Sequence, residues 1–251
     1  MPQPRVQSLE RALDLLEALA GADDLGVSEI AARTGLVPST AHRLLGTLVA
    51  RGYASQNPTT GRYLLGYKLL ELTSGVQDRL GRLRTAARPH LEAIQEETGE
   101  TTNLVVLEGR DVVYIESVSG TRSVRLHTEV GRSIPAHTSG AGKALLAWRD
   151  PSDVVTLLDG APLAPSTPRT LTTLDALQED LAKIRRRGYS TDNEEHELGV
   201  ACVATPVLDR AGRAIAAISV SGPISRILNA ETPDLAGLLR EHAEVVSSSL
   251  G

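Results

Sequence analysis

The chain has 251 residues, 41% hydrophobic and 23% charged, with a net charge of −5, one cysteine and no phenylalanine. That is enough apolar material for one large core or two smaller ones, and an ordinary charge density, which excludes disorder. The lone Cys202 excludes an intrachain disulfide and a cysteine-rich zinc site, and apolar runs as short as Ala214 to Val220 exclude a membrane span.

In chain order, Met1 to Arg5 lack the charged leader and apolar stretch of a secretory signal, so a cytoplasmic location is expected. Leu9, Leu13, Leu16 and Leu19 recur at helical spacing and predict a helix over Ser8 to Ala20, closed by Gly21. A second helix is predicted from Ser28, read as its N-cap, to Thr34, with Gly35 as the stop. Pro38 suits the first position of a third helix, Pro38 to Arg51, because its missing N–H would be unpaired there anyway. Leu44, Leu45, Leu48 and Val49 are its buried stripe. Tyr53 to Gln56 and Arg62 to Leu65 read as short strands around the turn Asn57 to Gly61. Tyr67 to about Val76 reads as a helix and Gln77 to Arg88 as a linker helix. His90 to Glu97, with Pro89 near its start, reads as a further helix closed by Gly99.

The rest mixes strands and helices. Asn103 to Leu107 and Val112 to Val118 read as a hairpin, with Ser123 to Thr128 a third strand. Helices are expected over Ser139 to Trp148, Pro151 to Leu158 capped by Asp150, Thr173 to Arg187, and Pro233 to Leu250. Asp192 is placed just after a strand, and Cys202 opens the next, Cys202 to Leu208, which pairs with Ala214 to Val220. This grouping predicts a mixed sheet with helices packed on it, and there is no internal repeat.

Charge is distributed unevenly. Between Ile30 and Leu70 there is no Asp or Glu, while Arg33, Arg43, Arg51, Arg62 and Lys68 are all basic. Phosphate contact is a local electrostatic event, so an acidic chain with one acid-free basic segment can bind DNA. Two helices joined by a tight turn and followed by a hairpin are the layout of a winged helix-turn-helix. Ser39, Thr40, His42 and Arg43 are polar at the start of the third helix, as entry into the major groove requires. The predicted DNA-contacting set is Ser28, Ser39, Thr40, His42, Arg43 and Thr47, with Arg62 as a wing residue reaching the backbone or minor groove.

SLERALDLLEAL (8–19), VSEIAARTGLVPSTAHRLLGTLVARGY (27–53) and GRYLLGYKLLEL (61–72) resemble the DNA-binding half of IclR-type regulators. ARPHLEAIQEETGETTNLVVLEG, SGAGKALLAW, RGYSTDNEEHELGVACVATPV and AAISVSGP resemble their effector-binding half, in the same order. The resemblance covers nearly the whole chain. It implies an α+β protein: a winged helix-turn-helix over 1–75, a linker helix over 76–88, and a GAF-like mixed α/β domain over 89–251 for effector binding and oligomerisation. It also implies a double-stranded DNA operator, a small-molecule effector, and a homodimer through the DNA-binding end or a tetramer as a dimer of dimers. Members act as repressors or activators; repression is the reading taken for this chain.

Ser139, Gly140, Ala141 and Gly142 are small residues whose peptide N–H groups suit a carboxylate. Ser219 and Ser221 alternate on one face of a strand. By resemblance, Ser139, Gly140, Ala141, Asp192, Val200, Cys202, Ser219 and Ser221 contact the effector, with Leu126 and Ile134 as the apolar wall. Ser123 and Val200 are small where a bulkier wall is often found, which favours a larger ligand. The expected effector is a small organic acid, including an aromatic one.

The residues admit three other readings. Cys202 with His196 or His137 and Asp192 could form a thiol nucleophile, but no spacing places a histidine beside Cys202, so no enzyme is expected. His127, His137, His196, Glu194, Glu195 and Cys202 could ligate a metal, but no pair has a zinc spacing, and no cofactor is expected. A helix-turn-helix used only for protein contact is disfavoured by the acid-free segment.

Overall fold

The computed structural model describes residues 6–159 and 162–250, in two units, Met1–Arg79 and Leu80–Gly251. The leaderless start read at Met1 to Arg5 lies outside the described residues. Among the described residues, no helix is long and apolar enough to cross a membrane.

The N-terminal unit packs α1 (Gln7–Ala20), α2 (Val27–Thr34) and α3 (Pro38–Ala50) around Leu15, Leu19, Ile30, Ala41, Leu45 and Leu48. β1 (Ala54–Gln56) pairs antiparallel with β2 (Tyr63–Leu65), and Leu25 bridges to Tyr63. Gly35 ends α2 at φ +67°, the left-handed conformation that glycine adopts without cost. Leu9 and Leu13 of α1 are exposed, and Leu15 and Leu19 are buried. One expectation is corrected. The N-cap of α2 is Gly26, not Ser28; Ser28 lies in the first turn, and Glu29 accepts the Gly26 N–H at 2.7 Å.

α4 (Lys68–Thr98) is one helix with Pro89 inside it, where the sequence predicted separate segments meeting at that proline. Pro89 removes one backbone hydrogen bond, a helix-breaking cost of about 3 kcal/mol. Ala87, Leu91 and Ile94 form one buried face running through it, and their packing offsets that loss.

In the C-terminal unit, β3 (Thr101–Glu108), β4 (Asp111–Val118), β5 (Ser133–Pro135), β6 (Ser190–Asn193), β7 (Val200–Leu208) and β8 (Ala214–Pro223) form one sheet in the order β5-β4-β3-β8-β7-β6. Every pairing is antiparallel, where a sheet of mixed direction was predicted. Strand alternation separates the two faces. Ala216, Ile218 and Val220 of β8 join a core with residues 87–94 of α4 and with α9 (Thr232–Leu250). Glu116 accepts from Arg84 and Arg88, and Thr102 Oγ1 donates to the Leu91 carbonyl, which fixes α4 to this face. The opposite face meets α5 (Gly140–Leu146), α6 (Pro151–Leu158) and α7 (Leu174–Arg187). A short helix, α8 (Ile224–Ile227), follows β8.

Ser123 to Thr128 is not a strand, because β5 occupies the free edge of β4 at Asp111–Val113. The segment is instead held by side chains: Thr101 Oγ1 donates to the Leu126 carbonyl and Arg226 to the Val124 carbonyl. The helix predicted from Ser139 starts at Gly140 with Ser139 as its N-cap. Asp192 lies within β6 rather than after it, and Cys202 is the third residue of β7 rather than its first.

Candidate functional site

The first site is the outer face of α3. Ala41, Leu45 and Leu48 point into the core, so helical geometry turns Ser39, His42, Arg43 and Thr47 outward. These four are exposed and Thr40 is half-buried. Among the described residues, Arg43 makes no ion pair. Ser28 is exposed on α2. Arg62, the predicted wing residue, is ion-paired within the N-terminal unit. Its Nε donates to Asp24 Oδ1 at 2.6 Å and its guanidinium pairs with Glu29 at 2.8 Å. It fastens the base of the hairpin to the helices, with its side chain still 37% exposed.

Gly46 lies on the same exposed face, in the middle of α3, and a Cβ there would meet nothing within 4 Å. Nothing inside the chain requires glycine, which costs a helix about 0.5–1 kcal/mol against alanine. Gly46→Ala is therefore expected to stabilise the N-terminal unit by about that much in urea unfolding followed by circular dichroism. Unchanged or lower stability would mean that position 46 is constrained by more than its own helix.

The second site is a cavity on the α5 side of the sheet. Asp192 on β6 lies opposite Cys202 on β7, which lies opposite Ser221 on β8, so the three form one row across the strands. Ser219 stands two residues along β8 on the same face. Leu126, Ile134, Tyr114 and Val200 form apolar walls. Of the predicted effector residues, the cavity gathers Leu126, Ile134, Ser139, Ala141, Asp192, Val200, Cys202, Ser219 and Ser221. Gly140 does not line it. A Cβ at Gly140 would sit 3.1 Å from the Cys202 sulfur and 3.2 Å from the Asp192 nitrogen. Its part is to let α5 approach β6 and β7.

The free space measures about 40 Å³. That holds water, whereas pockets for organic ligands span roughly 300–1,000 Å³. An organic ligand therefore needs the walls to move apart.

The charges beneath the floor are unusual. Lys143 on α5 is buried, and its ammonium donates to Glu195 Oε1 at 2.6 Å and Oε2 at 2.7 Å, and to Asp180 Oδ2 on α7 at 2.9 Å. Asp192 Oδ1 accepts the Glu195 N–H at 2.6 Å. Burial, with the Glu195 charge adding to it against that hydrogen bond, pushes the Asp192 carboxyl up to about 7. Burial also raises Glu195, and it lowers His196 and His137. The Cys202 thiol is pushed up to about 11 by burial, so it stays protonated and inert as a nucleophile. Among the described residues, no three His, Cys, Asp or Glu side chains gather as a metal site.

Sequence reasoning missed Tyr114, His127, Thr128, Arg132, His196 and Glu197, which also line the cavity. Arg132 was within reach as the basic residue nearest the predicted wall residue Ile134. Tyr114 was not, since only the tertiary pairing of Gly131 and Arg132 with its backbone brings the two walls together.

A family model for the bacterial transcriptional regulator IclR C-terminal domain matches residues 79–248, and one for the IclR helix-turn-helix domain matches residues 8–58. The HTH-type transcriptional regulator XynR of Escherichia coli (strain K12) is 39% identical over 249 residues, spanning 99% of this chain and 98% of the relative. The transcriptional repressor IclR of the same organism is 38% identical over 251 residues, spanning 98% and 91%. An IclR homolog from Microbacterium hydrocarbonoxydans, solved in complex with 4-hydroxybenzoate, is 31% identical with a TM-score of 0.77, covering 97% of this chain and 98% of that one.

Proposed function

The chain belongs to the IclR family of bacterial transcriptional regulators, and we propose that α3 reads its operator while an organic acid held in the sheet cavity sets its affinity for that DNA. It is a DNA-binding regulator controlled by a small-molecule effector, and not an enzyme. The observation that carries the proposal is the cavity, with a polar floor of Asp192, Cys202, Ser219 and Ser221 between apolar walls. Hydroxyls and the peptide N–H of Ala141 suit a carboxylate, and Leu126, Ile134 and Tyr114 suit an apolar or aromatic body. The relative bound to 4-hydroxybenzoate supports an aromatic acid as one class to test.

The division of labour is DNA reading by 1–75, linkage by 76–88 and effector binding with assembly by 89–251. The homodimer is expected through the exposed apolar side chains of the N-terminal unit, Leu9 and Leu13 on α1 with Tyr67, Leu70 and Val76 at α4. The relative named as a repressor supports repression, exercised on DNA in the cytoplasm.

The test is fluorescence anisotropy on the DNA flanking the gene, across several salt concentrations, with a scrambled duplex as control. Binding that is sequence-dependent and falls steeply with salt is expected. Arg43→Ala is expected to weaken it roughly tenfold, the loss of one good base or phosphate contact. If Arg43→Ala leaves affinity unchanged, α3 is not the reading helix. The same assay then screens benzoate, 4-hydroxybenzoate and short 2-oxo and 2-hydroxy acids for a shift in operator affinity. Cavity binding of those that act is measured by calorimetry.

A further inference from the structure

We propose that the cavity takes up its acid together with one proton from solvent, shared between the ligand carboxylate and the carboxyl of Asp192. The inference rests on the reading of the cavity as an organic-acid site.

The geometry leaves an incoming carboxylate facing another carboxyl. Asp192 is 4% exposed and lines the cavity in one row with Cys202 and Ser221. Among the described residues, its hydrogen-bond donors are the peptides of Glu195 and His196. The nearest ammonium, Lys143, is spent on Glu195 and Asp180. Cys202 and Tyr114 are neutral neighbours held so by burial. His196 is kept towards its neutral form by burial. Arg132, His127 and Glu197 also line the cavity and are exposed, and the Arg132 charge acts on Tyr114 and His196 rather than on Asp192.

Two carboxylates in contact in an enclosed space cannot both be ionised; they hold one proton between them. No covalent bond changes. The proton comes from water, and the neutral carboxyl of Asp192 donates a hydrogen bond to the ligand anion. Because burial holds Asp192 near 7, the proton is already present in slightly acidic solution and must be taken up above neutrality. The acid is then sensed better as the pH falls.

The experiment is calorimetry on the full chain, using whichever of benzoate, 4-hydroxybenzoate or the short 2-oxo acids binds, in buffers of different ionisation enthalpy. Uptake is expected to be close to one proton at about pH 8 and close to zero at about pH 6. The Kd is expected to rise roughly tenfold per pH unit above about 7. In Asp192→Asn, the amide donates the same hydrogen bond without a proton. Its Kd is expected to be flat across this range and at least about tenfold tighter than the wild type at about pH 8. A residue needed only for structure would weaken binding at every pH instead.

Binding by the wild type without proton uptake at about pH 8, or pH dependence that survives in Asp192→Asn, overturns the proposal. Val200→Phe, which fills the cavity, separates this from failure of the underlying reading. If no acid binds at any pH, or binding is indifferent to Val200→Phe in a folded protein, the organic-acid cavity itself is wrong.

Discussion

Lys143→Met is expected to destabilise the C-terminal unit by about 3–5 kcal/mol, the cost of removing one partner from a buried ion pair. All three ammonium protons of Lys143 are used, on the two oxygens of Glu195 and on Asp180, and the side chain is 2% exposed. The change keeps most of the aliphatic volume but leaves Glu195, itself 9% exposed, with a buried charge and no cation. Glu195 would respond by holding its proton to higher pH, so the deficit should shrink as the pH falls. The double variant Lys143→Met with Glu195→Gln removes the stranded charge and should recover part of the loss. Trp148, the single tryptophan, packs against the core on the α5 side of the sheet and reports unfolding of this unit alone. A single-variant loss below about 1 kcal/mol would mean that water reaches the cluster and screens it.

The second large effect is a pH dependence of stability carried by Asp192. The folded carboxyl keeps its proton up to about 7, whereas its ordinary value is 3.8. Between those values folding takes up a proton, so this contribution is complete below about 4 and is lost as the pH rises to about 7. From about pH 5 to about pH 8 the loss amounts to roughly 2–3 kcal/mol. His90, His137 and His196, whose values are lowered by burial, act in the opposite direction over the same range. The comparison with Asp192→Asn isolates the effect. The variant is expected to be about as stable as the wild type below about pH 4 and increasingly more stable as the pH rises to about 8, read from urea midpoints by Trp148 fluorescence. Parallel curves for the two proteins would show that Asp192 is ionised throughout.

Local patterns carried much of this protein. Leucine spacing, Pro38 and the Gly35 stop marked α2 and α3, and the alternation of Ser219 and Ser221 placed both hydroxyls on one strand face. Local signals failed where a distant segment decides the outcome. Val124 and Leu126 alternate like a strand, but β5 already occupies the edge they would need. Pro89 reads as a helix start, but the buried face of Ala87, Leu91 and Ile94 carries α4 through it. Ser28 reads as a cap only if the chain enters the helix there, and Gly26 makes that turn instead.

By itself the sequence determined most of the order of the elements, the acid-free third helix with its polar outer face, and nine of the fifteen residues that line the cavity. Periodicity, capping and charge runs act over a few neighbouring positions, and the family motifs are contiguous strings. Only the tertiary structure decided how the charges are paired. Lys143 meets Glu195 across 52 positions and Arg62 meets Asp24 across 38. Whether a charge is free, paired or stranded depends on which distant groups folding brings within about 3 Å of it, and on the water that burial removes. That is why the ion pairs of Arg62 with Asp24 and Glu29 could not be read from the sequence. It is also why Asp192, read from the sequence as an effector contact, became the group on which ligand binding and stability should both turn.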